Sequence, residues 1–192
     1  ESTYQSKADP RSYLEYLAEI GMTSYKTDEE KEQMLFNAAE QIYLSGDWQK
    51  AIASLESFIG SYPDGKLVPK AYFYMADSYK SLGQKELACD FYRRVMQSDD
   101  ESYLELATLN YASLSFSMQE YAVAYEAYES LLNIARIPSN KSVARQGMMR
   151  SAFKARLFDK AIAAAEEVKD EVGREGVLAQ EADWTIAKSY LM

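Results

Sequence analysis

The chain has 192 residues, 47 % of them hydrophobic, which is enough for a sizeable core and too apolar for a disordered segment. Its formal net charge of −9 argues against a partner made of nucleic-acid phosphates or anionic lipid. With no histidine and one cysteine, Cys89, an intrachain disulfide and a Cys/His metal site are excluded by count. No cofactor or metal is expected, and no apolar run is long enough to cross a bilayer.

Residues 1–21 open on a polar stretch, after which Asp9-Pro10 starts a helix that ends at Gly21; aspartate at the cap with proline in the first turn is a strong start signal. Tyr13, Leu14, Leu17 and Ile20 give that helix an apolar stripe. It reads as the trailing helix of a truncated repeat. No charged stretch followed by an apolar core opens the chain. Because it starts on Glu1 and ends on Met192 inside an apolar helical pattern, it is expected to be a piece of a longer array.

A polar connector leads to Thr27 and Glu30, which fit a capping box. The first full unit, 27–65, then places two amphipathic helices around the turn Gly46-Asp47, with Asp47 expected to cap the second. Three more units follow at 69–100, 103–137 and 141–173, with Pro138 expected in the linker before the last, and a fifth begins over 176–192. Slim residues recur in step. Ala51, Ala88, Ala124 and Ala161, on the second helices, are 37, 36 and 37 residues apart. Ala39, Ala76, Ala112, Met149 and Ala187, on the first helices, are 37, 36, 37 and 38 apart. Such spacing marks a solenoid of antiparallel helix pairs, one all-α domain over 1–192, in which each pair buries its faces on the next. The slim positions let paired helices approach closely. Trp48, Leu55, Phe58, Tyr92, Val95, Tyr128 and Leu131 are expected to fill the space around them.

These residues resemble tetratricopeptide (TPR) repeats. That pattern has a small residue at its eighth position, a Gly-Asp-Tyr turn, alanine at its twentieth and proline at its thirty-second. Gly46-Asp47-Trp48, Ala51 and Pro63 fit it closely, as do Gly83 and Ala88, Tyr121 and Ala124, and Phe158 and Ala161 in the later units. The spacing exceeds the roughly 34 residues usual for the family, Met149 replaces a small residue, and Asp100 stands where proline would end the second unit. Ser61 to Gly65, followed by a helix beginning Ala71-Tyr72-Phe73-Tyr74, is similar to TPR proteins of the Gram-negative cell envelope, namely the outer-membrane assembly lipoprotein and the Tol–Pal-associated coordinator. The resemblance implies a right-handed α-α superhelix in the periplasm or cell envelope, with a cytoplasmic location as the alternative.

It also implies a non-catalytic scaffold that binds a peptide or partner helix in a concave groove lined by first helices. In this register the groove would show Gln33, Phe36, Glu40 and Tyr43; Lys70, Phe73, Asp77 and Lys80; Leu106, Leu109, Ser113 and Phe116; and Gln146, Arg150 and Phe153. The competing reading puts Phe36, Phe73, Phe116 and Phe153 in the core between repeats. The lysine–asparagine clamp of chaperone-binding TPR domains is not matched: Phe36, Glu40, Tyr74 and Leu106 occupy its positions, and Asn110 alone fits in kind. Glu29-Glu30, Asp99-Asp100 and Glu166-Glu167 read as solvated faces rather than acid/base pairs, and Cys89 as a packing residue rather than a reactive thiol. The 16 tyrosines suit an interface or repeat packing equally. The partner is a protein of unspecified identity, with self-association through uncapped terminal repeats as a further possibility. Two other roles stay open: a spacer or self-association arm of a longer array, and a helical accessory domain of an envelope enzyme or glycan-uptake complex.

If the register is right, Ala51→Phe or Ala124→Phe overpacks a helix pair and costs about 1–3 kcal/mol. Denaturant midpoints indistinguishable from wild type would show that those alanines do not sit between helices.

Overall fold

Thr27 and Glu30 exchange both bonds of a capping box: the Glu30 amide donates to the Thr27 hydroxyl at 3.2 Å and the Thr27 amide to the Glu30 carboxylate at 2.8 Å. From that cap the computed structural model runs in helices to the end; it describes Tyr16, Gly21 and residues 27–192. The leading helix expected after Asp9 lies outside the described residues, apart from the helical Tyr16. Among the described residues there are nine α-helices, one 3₁₀ turn and no strand. They are α1 (Asp28–Leu44), α2 (Trp48–Ser61), α3 (Val68–Ser81), α4 (Lys85–Met96), the 3₁₀ turn Glu101–Tyr103, α5 (Leu104–Ser117), α6 (Tyr121–Ile134), α7 (Pro138–Lys154), α8 (Phe158–Val172) and α9 (Val177–Ser189). The chain divides into two compact units, Glu1–Tyr103 and Leu104–Met192.

Four helix pairs, α1/α2, α3/α4, α5/α6 and α7/α8, repeat one design. Ala51, Ala88, Ala124 and Ala161 are all fully buried, as are Ala39, Ala76, Ala112 and Met149. Seven residues beyond each second-helix alanine stand Phe58, Val95, Leu131 and Val168, also buried. Each such side chain contributes roughly 1.5–3 kcal/mol by leaving water. Met149 fits because its unbranched thioether can follow an irregular gap that a branched chain could not. Ala187 departs from the series. It is exposed in α9.

The first unit packs around Leu35, Phe36, Phe58, Leu55 and Met75. The second packs around Tyr128, Leu131, Met149 and a run of alanines that includes Ala144, Ala152, Ala164 and Ala165. Gly147 is required there: a Cβ on it would lie 2.5 Å from the ring of the buried Tyr128. Pro138 does not sit in a linker. It opens α7, where its fixed φ suits the first turn and its missing N–H would have had no helical partner. The N–H groups around it are taken by Glu105, whose carboxylate accepts from the Arg136 amide at 3.0 Å, the Ile137 amide at 3.2 Å and the Asn140 side chain at 2.7 Å. Glu32, the equivalent residue two repeats earlier, accepts the Leu67 amide at 2.9 Å.

All four hairpins turn in the same way. The amides of Gly46, Gly83, Gln119 and Arg156 donate to the carbonyls of Tyr43, Lys80, Phe116 and Phe153 at 3.0, 3.0, 3.0 and 3.1 Å. Each donor has a positive φ, of 80°, 76°, 65° and 62°. Glycine adopts this left-handed region freely, whereas a residue with a Cβ is strained there. Gln119→Gly and Arg156→Gly are therefore each expected to stabilise the protein by roughly 0.5–1 kcal/mol, and Gly46→Ala to destabilise it. Urea midpoints check the signs, and a lowered midpoint for both glycine variants would contradict the account.

Candidate functional site

On α1, Phe36, Glu40 and Tyr43 lie one turn apart along a single stripe, and on α3 Lys70, Tyr74, Asp77 and Lys80 do the same. The two stripes meet within the first unit. The Tyr43 and Tyr74 rings stack at 4.1 Å with 7° between their planes. The Tyr74 hydroxyl donates to Glu40 at 2.7 Å, and the Tyr43 hydroxyl to Asp77 at 2.8 Å. Lys70 pairs with Glu40 at 2.9 Å and lies 4.9 Å from the centre of the Phe36 ring. Lys80 pairs with Asp77 at 3.3 Å, and the buried Tyr92 reaches the same carboxylate from α4 at 3.3 Å. Tyr103, in the 3₁₀ turn, adds a ring 4.7 Å from that of Phe73. Tyr43, Tyr74, Tyr103, Glu40, Lys70 and Asp77 are all half-buried, so the cluster forms a surface held by its own hydrogen bonds.

Burial pushes the hydroxyls of Tyr43, Tyr74 and Tyr92 well above the ordinary tyrosine range, and their bonds to Asp77 and Glu40 push them further. Burial also pushes the Glu40 carboxyl up, but the hydrogen bonds from Lys70 and Tyr74 and the lysine charge outweigh it, so its pKa lies below the ordinary carboxylate value.

The expected groove residues divide into several groups. Phe36 is fully buried and meets Phe58 edge-on at 5.4 Å, so it belongs to the core and cannot line a groove. Phe73 is 9 % exposed and packs on Tyr92 and Tyr103. Gln33 is exposed and donates to Asn37 at 2.7 Å. In the second unit Phe116 and Phe153 close hairpins: they meet Tyr121 and Phe158 edge-on at 5.3 and 6.2 Å, as Tyr43 meets Trp48 at 5.7 Å. Leu109 leans on the core, Leu106 and Ser113 are exposed, and Gln146 donates to Ser142 at 3.2 Å. Arg150 grips Glu181 with two bonds, at 2.7 and 2.6 Å, and the partly buried Phe153 also packs on Trp184 at 5.1 Å. Cys89 is buried. Among the described residues no three Asp, Glu, Cys or His side chains gather to hold a metal ion, and no helix is long and apolar enough to cross a membrane.

Three residues of these faces were missed from sequence. Tyr74 adjoins Phe73, but Asn37, Asn110 and Gly147 occupy its place in other repeats, so the register gave it no weight. Tyr103 opens the third unit in the 3₁₀ turn ahead of α5, and so is not on a first-helix stripe. Trp184 was legible: it continues the series Phe36, Phe73, Leu109 and Gln146 by one more step of 38 residues.

A family model for the tetratricopeptide repeat matches residues 33–65 and 70–102. No curated protein matches the chain in sequence. Among solved structures, MamA from residue 41 to its end, from Desulfovibrio magneticus RS-1, superposes with a TM-score of 0.60 at 15 % identity, over 86 % of this chain and 95 % of that one. A tetratricopeptide repeat protein from Parabacteroides merdae gives 0.58 at 18 % identity, over 99 % and 73 %. At these identities the likeness is one of fold. The chain is an all-α helical repeat protein of the α-α superhelix class. Its first two helix pairs match the model of the tetratricopeptide repeat, a type that generally serves as a scaffold for protein–protein contact and is typically non-catalytic.

The raised tyrosines set an alkaline limit. A group whose pKa is higher in the folded state than in the unfolded one contributes stability that is whole below its unfolded value and is lost as pH rises. Stability should thus fall above about pH 10, where unfolded tyrosine ionises. Replacing Tyr43, Tyr74 and Tyr92 together by phenylalanine should flatten that fall. Denaturant midpoints across this range check it; ultraviolet titration showing all tyrosines ionising at the ordinary value while the protein stays folded would refute it.

Proposed function

We propose that the first unit is a protein-binding scaffold that holds a peptide or partner helix across α1 and α3, over the platform of Tyr43, Tyr74 and Tyr103. The reading is carried by the Tyr43–Tyr74 stack, half-exposed on two adjacent first helices with both hydroxyls fixed by carboxylates. A tyrosine held in this way offers a large contact area and loses little rotamer freedom when a ligand arrives. Glu40 and Asp77 are already shared between tyrosines and lysines, so a ligand charge would have to displace an existing bond. The platform therefore favours an apolar or aromatic anchor laid on the rings, with charge acting at the rim. Phe36 and Phe73 pack against Tyr74 from below and support this arrangement.

Peptides selected from a displayed library against the whole 192-residue chain test the proposal. Tyr74→Ala and Tyr43→Ala should each weaken the selected peptides about tenfold or more, near 1.4 kcal/mol per tenfold. Gln49→Ala, on the exposed side of α2, should leave them unchanged. Melting curves of each variant separate lost binding from lost fold. Enrichment of no peptide, or of peptides indifferent to both tyrosines while the variants stay folded, would overturn the proposal.

A further inference from the structure

The hairpin mouths show what packing alone requires of them. Phe116 closes α5/α6 against Tyr121, and Phe153 closes α7/α8 against Phe158. At the same two positions of α1/α2 stand Tyr43 and Trp48, both half-buried, with their rings 5.7 Å apart at 62°. A phenyl ring fills the first of these places in two other pairs, so the hydroxyl of Tyr43 is not there for packing. Phenols and indoles differ from phenyl rings in one chemical respect above all: they surrender a single electron far more readily.

From Trp48 the rings continue without a gap. Tyr43 lies face to face on Tyr74, 4.1 Å and 7° apart, and Tyr74 stacks in turn on the buried Phe36 at 5.9 Å and 24°. Each phenol has its own proton acceptor. The Tyr43 hydroxyl donates to Asp77 at 2.8 Å and the Tyr74 hydroxyl to Glu40 at 2.7 Å. Both distances lie in the range of roughly 2.6–3.2 Å that a base needs to take a proton. Burial holds both hydroxyls above the ordinary tyrosine range, so at neutral pH each ring is a protonated phenol. Such a phenol loses an electron easily only if its proton leaves at the same time. A phenol that has lost an electron is a strong acid, and it protonates a carboxylate even though Lys70 and Lys80 pair with Glu40 and Asp77.

We propose that these rings are a one-electron relay, in which an oxidising equivalent taken up at Trp48 from a small inorganic radical, such as the carbonate radical anion, passes to the stacked pair Tyr43 and Tyr74. Trp48 gives one electron to that radical, which becomes carbonate, and is left as an indole radical cation. Tyr43 then returns one electron to the indole while its hydroxyl proton passes to Asp77. The indole is restored, and a neutral phenoxyl and a carboxylic acid replace the phenol and the carboxylate, so charge and atoms balance. In the second step Tyr74 gives an electron to the Tyr43 phenoxyl, which takes its proton back from Asp77, and the Tyr74 proton passes to Glu40. The first step runs downhill at neutral pH, because a phenol that sheds electron and proton together is easier to oxidise than an indole. The second joins like groups, so the radical is shared between the stacked phenols. The inference rests on the ring stack and its carboxylates, and not on which peptide the platform holds.

Pulse radiolysis of the 192-residue chain in azide solution is the test, because the azidyl radical takes an electron from indoles in preference to phenols at neutral pH. A Trp184→Phe background leaves Trp48 as the one indole, so every event starts at the stack. The absorbance of the indole radical should decay at a rate independent of protein concentration, while that of a phenoxyl radical grows at the same rate. Both should be slower in heavy water, since a proton moves with the electron. Tyr43→Phe, which keeps the ring and loses only the hydroxyl, should slow the transfer about tenfold or more. Asp77→Asn, which removes the proton acceptor, should slow it too, and Tyr72→Phe, whose ring packs on Phe91 instead, should leave it unchanged. Melting curves identify variants that have lost their fold, and the concentration and heavy-water measurements need no change to the stack. An indole radical that decays only through encounters between molecules, equal rates in heavy and ordinary water, or a transfer just as fast in folded Tyr43→Phe would each overturn the proposal.

Discussion

Helices pack roughly 8–10 Å apart depending on the side chains between them, and a slim side chain at the contact allows the closer approach. That constraint organises this molecule. Once Ala51 and its three equivalents fix the closest approach in each pair, the large side chains have defined places: in three pairs an aromatic three residues before goes to the mouth of the hairpin, and in all four the residue seven after goes to the core. The turn follows as well. A hairpin so tight needs one residue in the left-handed region, and the chain supplies it at the same step every time, with glycine in two pairs and without it in two. The recurrence of the geometry without the glycine shows that packing of the helices, and not the turn residue, dictates the conformation.

The first unit combines that scaffold with a surface of different character. Its core is aliphatic and phenylalanine-rich, yet just above it tyrosine hydroxyls, two carboxylates and two lysines bond with one another. Half-buried charges are tolerable because each has a partner across the α1/α3 seam. The second unit pairs its charges between other helices: Arg150 holds Glu181 bidentately between α7 and α9, and Arg145 of α7 reaches Glu167 and Glu171 of α8. The two units thus share a backbone plan and differ in the side chains displayed on their first helices.

The plan was legible because helical packing is periodic: alanines in step, a capping box at Thr27 and Glu30, and a turn at Gly46-Asp47 can each be read from local residues. Gln119 and Arg156 were not legible as turn residues, since nothing in their chemistry announces a positive φ that tertiary packing imposes. Pro138 reads as a linker residue in the sequence because its helical role depends on Glu105, a residue more than thirty positions earlier that catches the amides around it. The platform was half legible. Glu40, Tyr43, Lys70, Asp77 and Lys80 follow from the first-helix stripe, and Tyr43 also closes a hairpin. Phe36 follows from the same stripe and is nevertheless core, because periodicity gives the direction of a side chain but not how far the neighbouring helix covers it. Tyr103 lies in a short turn ahead of α5, and only three-dimensional proximity brings its ring to Phe73.

The chemistry of the platform also sets what it ignores. The hydroxyls of Tyr43 and Tyr74 hold their protons above the ordinary tyrosine range, Glu40 gives up its own below the ordinary carboxylate value, and the chain has no imidazole to titrate between them. Acidification or alkalinisation by a unit or two around neutrality therefore leaves Tyr43, Tyr74 and Glu40 each in one ionic form. A partner bound there, as proposed, would be held or released by its concentration and shape, without a change of charge on these three side chains.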